Sequence, residues 1–282
     1  MAESLGRKMK SFAYRRIINF SLLLISAVSL YVYVWALEST LQNPARFSGW
    51  TLLGMVLFLA AYNVRKKLPF LPLGSSAMWL QIHIYIGLLT GFVFGIHLGW
   101  QLPNGLFECL LAAAFAAVFL SGVAGLALTR SFAKRLATRK DEIIFERIPW
   151  RRKQIRREAE QLVFEQLSRQ GALAIPQFYV EHLHVFFSAP QNFWGHLFQT
   201  THARHTLLSE LKTHERYLSE PDREVLRSIA GCVERKDDLD YQFALQSTLK
   251  HWLFVHIPLT YVLLVFSFFH LFLVNAFSGA AV

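Results

Sequence analysis

Four histidines lie inside long apolar stretches of the 282-residue sequence, in two pairs with the same spacing. His83 and His97 are 14 residues apart, and so are His256 and His270. On a helix, 14 residues return to within about 40° of the starting direction and advance about 21 Å. An ionisable group inside a bilayer is costly, so a histidine there is a functional candidate by default. Each stretch therefore predicts a helix with two imidazoles on nearly one face, one near each edge of a hydrocarbon core about 30 Å thick.

The composition predicts a membrane protein. Hydrophobic residues make up 54% of the chain and charged residues only 17%, which excludes a wholly water-soluble protein. We predict an all-α membrane protein with a bundle of five transmembrane helices and a mostly helical cytoplasmic insert between helices four and five. The predicted spans are 17–37, 47–64, 78–99, 106–128 and 252–277, and the predicted divisions are 1–128, 129–250 and 251–282.

Basic residues between the spans predict the orientation. Five of them precede the first span and three follow the second at 65–67, whereas only Arg46 follows the first and none follows the third. The positive-inside rule then places the N-terminus in the cytoplasm of a multi-pass inner-membrane protein and the C-terminus on the periplasmic side. The first stretch has no small-residue cleavage site after it, which favours a retained helix over a signal peptide.

This orientation pairs the histidines by depth, because helices three and five run in the same direction. His83 and His256 share the cytoplasmic depth, and His97 and His270 share the outer depth. Two facing imidazoles supply both axial ligands of a b-type haem iron. We predict two haems, bound non-covalently because the sequence has no C-x-x-C-H, with His83 and His256 on the inner iron and His97 and His270 on the outer iron.

Other interpretations of these histidines remain open. They could be hydrogen-bonded across a bundle, or could line the path of a non-redox metal or haem transporter. A transporter path is expected to hold further polar groups, and helices three and five offer only Thr90, Thr260 and Ser267 at mid-depth. A glycine at every fourth position from Gly87 to Gly99 could serve helix packing or leave room for haem.

The insert 129–250 carries 20 of the 29 basic and 16 of the 19 acidic residues. Residues 130–157 hold 11 basic residues against three acidic ones, which predicts contact with anionic lipid headgroups or a docking face for an acidic electron-donor protein. We expect a helix to about Gln170, a possible strand over 177–187, and two or three short helices over 203–246, broken near Glu220 and Gly231. Nothing in the sequence resembles a nucleic-acid-binding module.

The remaining histidines and the cysteines offer weaker signals. His182 and His184, or His202 and His205, could contribute to a metal site in the insert. His182 and His196 are also 14 apart, but Pro190 between them argues against a continuous helix. His251, at the membrane boundary, could contact a lipid headgroup or a haem propionate. The two cysteines cannot supply an iron–sulfur site without outside ligands.

The third and fifth spans carry a family resemblance. The residues W-L-Q-I-H-I-Y-I-G-L-L-T-G-F-V-F-G-I-H and H-W-L-F-V-H-I-P-L-T-Y-V-L-L-V-F-S-F-F-H resemble the transmembrane cytochrome b of ferric reductases and NADPH oxidases. The resemblance implies that His83, His97, His256 and His270 are haem ligands and that electrons pass outward across the membrane. It covers about a third of the chain and is partly shared with quinol-linked di-haem cytochromes b.

The sequence also departs from that family. Its oxidases and reductases continue into a flavin and nicotinamide module, whereas the insert has no G-x-G-x-x-G and no P-loop. We therefore expect an oxidoreductase component, a cytochrome b subunit of a redox complex without its own flavin or nicotinamide site. The expected donor is a cytoplasmic reductase or quinol, and the expected acceptor a periplasmic cytochrome, a metal ion or oxygen.

Overall fold

The structure is a computed structural model that describes residues 2–40, 44–67, 74–138, 142–170, 174–200, 202–216 and 218–278. Every regular element in these ranges is helical, which confirms the all-α prediction. The chain divides into two compact units. The apolar unit comprises Met1–Leu126 and Phe254–Val282, and the polar unit comprises Ala127–Leu253.

Five of the described helices are long and apolar enough to cross a membrane, so the structure supports a membrane protein with five spans. Each span predicted from sequence lies almost wholly within one of these helices, which are α1 (Ala2–Ser39), α2 (Pro44–Lys67), α3 (Ser76–His97), α4 (Leu106–Ala137) and α10 (Glu220–Ser278). On α1, large side chains such as Phe20, Leu24 and Trp35 are exposed, as expected for a surface that faces lipid.

A small core joins four helices of the apolar unit. Val56 of α2, Phe115 of α4 and Leu263 of α10 are all buried. Phe94 of α3 packs against them and stacks on Phe115, with ring centres 3.9 Å apart and planes 15° from parallel. Aromatic stacking and apolar burial thus hold the helices that carry the four histidines.

Specific caps fix both ends of α3 and so the position of its histidines. At the start, the Ser75 hydroxyl accepts a hydrogen bond from the Met78 amide. After His97 the chain turns back through Gly99, at φ +59°, and the Trp100 amide donates to the Gly95 carbonyl. Gly99 adopts this left-handed conformation without steric cost. His97 therefore lies in the last turn of a helix with a defined end.

The polar unit is built of shorter helices around its own core. After a 3₁₀ turn at Phe145–Arg147, these are α5 (Ile148–Gln170), α6 (Ala174–Phe178), a π-helical turn at Tyr179–Leu183, α7 (His184–Ser188), α8 (Phe193–Leu197) and α9 (His202–Glu215). The first part of α10 completes the unit. Fully buried core residues include Ile148, Leu183, Ile229 and Cys232.

Two sequence predictions for this unit are wrong. Residues 177–187 form no strand, because they run through α6, the π-helical turn and α7. The helix is not broken at Gly231, because α10 is continuous for 59 residues. The helix ending at Gln170 is confirmed, and so is the break before Glu220.

Candidate functional site

His97 and His270 face each other in the apolar unit. Their ring centres are 6.5 Å apart, and the ring planes are nearly perpendicular at 87°. Two imidazoles bound through bonds of about 2 Å to opposite sides of one metal ion would have ring centres about 6 Å apart. The observed separation therefore fits a pair of axial ligands.

The hydrogen-bond partners of His97 favour a proton on one of its two ring nitrogens. The Nδ1 atom lies 3.1 Å from the Ser48 hydroxyl. That hydroxyl is within donating distance of the Pro44 carbonyl at 2.9 Å and the Ala45 carbonyl at 3.1 Å. Because a serine has one proton to donate, the imidazole must donate to Ser48 when the serine bonds a carbonyl. The Nε2 lone pair is then available for a metal, as in most protein metal sites.

Close packing limits the movement of both rings. A Cβ atom at Gly49 would lie 3.0 Å from His97 Cε1, so the absence of a side chain there lets α2 approach the imidazole. The partner histidine, His270, stacks on Phe107 of α4, with ring centres 6.4 Å apart. The two histidines are thus held by neighbours on α2 and α4.

The other two sequence-predicted ligands have different neighbours. His256 Nδ1 lies 3.2 Å from the Ser121 hydroxyl of α4. The His83 ring packs on Tyr62 of α2, with ring centres 5.2 Å apart. His256 and His83 therefore contact residues of α4 and α2, respectively. His97 and His270, in contrast, contact each other. At His97 and at His256, a serine hydroxyl lies beside Nδ1.

We call the depth of His83 and His256 the inner level and the depth of His97 and His270 the outer level. The region between these two levels is apolar. It contains the Phe94–Phe115 stack and buried Leu263. Thr90, also buried there, donates its hydroxyl proton to the Ile86 carbonyl at 2.7 Å. A hydroxyl satisfied within its own helix provides no step in a polar path, so this layer offers no polar path between the two levels.

The glycines of α3 have different environments. A Cβ atom at Gly91 would lie 2.4 Å from the Phe119 ring of α4, so this glycine serves helix packing. At Gly95 the added atom would meet the Trp100 ring at 2.8 Å. Beside Gly87, nothing lies within 4 Å of the added atom among the residues described. Of the three glycines within α3, Gly87, one turn after His83, is the one that leaves open space.

Sequence reasoning missed Ser48, Gly49, Phe107 and Ser121. Serines in apolar helices are a usable signal, because a hydroxyl in a membrane needs a partner. No spacing rule connects a serine on one helix to a histidine on another, so the pairings emerge only from the packing.

The histidines of the polar unit do not assemble a metal centre in the described part of the chain, where no group of three potential metal ligands occurs. The His182 ring stacks on Phe178 at 5.0 Å and lies 3.8 Å from the Glu210 carboxylate. His251 Nδ1 lies 2.7 Å from the Ser247 carbonyl, one turn earlier on α10. The side chain of His202 lies outside the described residues.

The basic stretch of α5 is only partly a free surface. Arg152 is largely buried and pairs with Asp240 at 3.2 Å. Arg156 pairs with Glu160 on the same helix at 2.7 Å, and this hydrogen bond raises the pKa of Arg156. Arg151, Lys153 and Arg157 remain exposed cations.

Comparison of the chain with protein-family models, curated proteins and solved structures finds no match.

Proposed function

We propose that this protein is a di-haem b-type cytochrome that transfers electrons across the inner membrane. The observation that carries the proposal is the facing arrangement of His97 and His270, at a separation that suits two ligands on one iron. These residues would hold the outer haem, and His83 with His256 would hold the inner one. The haem iron, when bound, supplies the one-electron redox chemistry.

The protein's own contribution is ligand orientation and a dry, apolar surrounding. Ser48 and Ser121 set the orientation of His97 and His256 through Nδ1. The apolar layer around Phe115 excludes water between the two levels. With two imidazole ligands each, the irons would have no open coordination position, which would favour electron transfer over ligand chemistry.

The distribution of basic residues supports a cytoplasmic N-terminus, a cytoplasmic polar unit and a periplasmic C-terminus. In this orientation His83 and His256 form the electron-entry level. The donor is a cytoplasmic reductase or quinol, and the acceptor is a periplasmic cytochrome, a metal ion or oxygen at the outer level. Exposed Arg151, Lys153 and Arg157 on α5 suit an acidic donor protein. The chain would then be an oxidoreductase component within a redox complex.

A visible spectrum of the purified full-length protein tests the proposal. After reduction with dithionite we expect sharp b-type absorption bands, and extraction should give about two haems per chain. The matched control replaces all four histidines with alanine and should show no bands. Absence of bands in the unaltered protein, purified from haem-replete cells, would overturn the proposal in favour of a non-redox role such as transport.

A second experiment separates the two classes of donor. The protein is reconstituted in vesicles and offered a quinol without any cytoplasmic protein. Rapid haem reduction assigns quinol as the donor, whereas reduction only after addition of a cytoplasmic fraction assigns a soluble reductase.

A further inference from the structure

The polar unit contains a cavity of about 600 Å³ that the proposed electron transfer does not use. Its lining comes from the last turns of α4, the segment 192–200, α9 and α10. This volume lies in the ordinary range for small-ligand sites. Its charged and imidazole lining consists of Lys134, Arg135, His196, Arg204 and Asp237.

Arg135 builds the wall of this cavity. Its guanidinium donates to the Leu197 carbonyl at 2.8 Å and to the His196 carbonyl, and its Nε donates to the Tyr241 hydroxyl at 3.0 Å. These bonds connect α4 with α8 and α10. Arg135 therefore fixes the shape of the cavity and contributes a permanent positive charge to it.

The cavity has a net positive charge. Its one lining carboxylate, Asp237, lies 3.6 Å from His196 Nε2 and 4.0 Å from Arg204. Lys134 is exposed and has no acidic partner among the residues that the structure describes. With Arg135 and Lys134 uncompensated, the cavity favours an anion, and Ser131 and Thr200 add hydroxyl donors to its lining.

The segment that lines the cavity also carries an exposed aromatic pair. Trp194 is 66% exposed and Phe198 is 72% exposed, and their rings stack with centres 6.1 Å apart. Gly195 and His196 of the same segment line the cavity. Exposed tryptophan beside basic residues is typical of a surface that lies at the boundary between headgroups and acyl chains.

The position of Lys134 along α4 agrees with that boundary. The apolar stretch of this helix ends at residue 128, and Lys134 follows about 9 Å further along the axis. The headgroup layer of a bilayer is roughly 5–8 Å thick. A lysine at this distance reaches the depth of lipid phosphates.

We propose that this cavity binds the phosphate headgroup of an anionic phospholipid. Lys134 and Arg204 bind the phosphate, Ser131 and Thr200 donate to its oxygens, and Trp194 with Phe198 inserts among the acyl chains beside it. The lipid holds the polar unit at the membrane surface. This site is independent of the four histidines and of haem, so either proposal can fail without the other.

The test measures lipid affinity of the full-length protein in a neutral detergent. Short-chain phosphatidylglycerol is titrated into the unaltered protein, into Lys134→Gln and into the control Lys153→Gln, an exposed lysine on α5 that does not line the cavity. We expect Lys134→Gln to weaken binding about fivefold and Lys153→Gln to leave it unchanged. Equal effects of the two variants would overturn the proposal, because they would show that the lipid is attracted only by overall charge.

Two further arms separate the lipid from a soluble phosphate compound and test the aromatic pair. Glycerol phosphate and inorganic phosphate should compete with phosphatidylglycerol only weakly, and binding of either as tight as the lipid would overturn the lipid assignment. In nanodiscs that contain lipids with brominated acyl chains, Trp194→Phe should remove part of the fluorescence quenching. Unchanged quenching would exclude insertion of this segment.

Discussion

The imidazole rings of His97 and His270 lie with their centres 6.5 Å apart and their planes nearly perpendicular, at 87°. The proton of His97 lies on Nδ1 when Ser48 bonds a carbonyl, so its Nε2 presents a lone pair. A lone pair in an apolar surrounding is costly without a partner. Under the proposed function an iron ion between the two rings would satisfy both imidazoles, whereas a hydrogen bond between them would need a shorter distance.

Removal of this pair should remove one haem and leave the other. In His97→Ala combined with His270→Ala, we expect about half the b-type absorbance of the unaltered protein, because His83 and His256 remain. The measurement is haem per chain after extraction. His182→Ala is the control, since His182 shares the 14-residue spacing but lies in the polar unit. Retention of two haems by the double variant would refute the pairing.

Gly49 offers a more conservative test of the same site. In Gly49→Ala the new methyl group would lie 3.0 Å from His97 Cε1 and would displace the ring, so haem content should fall below two per chain. Gly54→Ala, on the same helix, meets nothing within 4 Å and should keep both haems. Both changes raise helix propensity by a similar amount, so that contribution cancels in the comparison. Equal haem contents in the two variants would show that the space beside His97 is irrelevant.

The five long helices were predictable, because long apolar stretches leave the backbone no alternative to a helix in a bilayer. The strand predicted at 177–187 was not a sound inference. The buried side chains there are Phe178, Tyr179, Leu183, Phe186 and Phe187, and they recur about every four residues. The π-helical turn inserts one extra residue into the helical repeat. The resulting irregular spacing of apolar residues resembles the alternation of a strand.

Helix α10 continues through Gly231 for a physical reason that the local sequence does not show. A glycine within a helix costs about 1 kcal/mol relative to alanine. Ile229, Cys232 and Val233 beside it are all essentially buried, and burial of one large aliphatic side chain alone contributes about 1.5–3 kcal/mol. Packing therefore outweighs the local propensity, and packing partners distant in sequence cannot be inferred from the local pattern.

Lys236 provides a prediction for the polar unit. Its side chain is 0% exposed, pairs with Asp240 and donates to the Ala189 carbonyl at 2.8 Å. Lys236→Met should destabilise the unit by about 3 kcal/mol, the lower end for a broken buried pair, because Arg152 still pairs with Asp240.

The buried thiol of Cys232 reports this loss directly. In a Cys109→Ser background Cys232 is the only thiol, and it is inaccessible in the folded unit. Lys236→Met should speed its labelling by about a hundredfold, since about 1.4 kcal/mol corresponds to a factor of ten. Lys153→Met, at an exposed position, should leave the rate unchanged. A change of less than threefold in Lys236→Met would contradict a stabilising role for the pair.

Tyr179 is buried at 5% exposure, and among the described residues its hydroxyl has no hydrogen-bond partner. Tyr179→Phe should therefore stabilise the polar unit by about 1 kcal/mol, whereas Tyr241→Phe, which removes the acceptor of Arg135 Nε, should destabilise it.

Burial, together with the nearby Glu160 carboxylate, raises the pKa of Tyr179 to about 12. The unfolded chain releases this proton at about pH 10, so the folded state loses stability as the pH rises from about 10 to 12. Phenylalanine has no proton to lose, and the melting temperature of Tyr179→Phe should exceed that of the parent by more at pH 11 than at pH 8. A gap that stays constant or narrows would show that Tyr179 ionises as readily in the folded protein as in the unfolded chain.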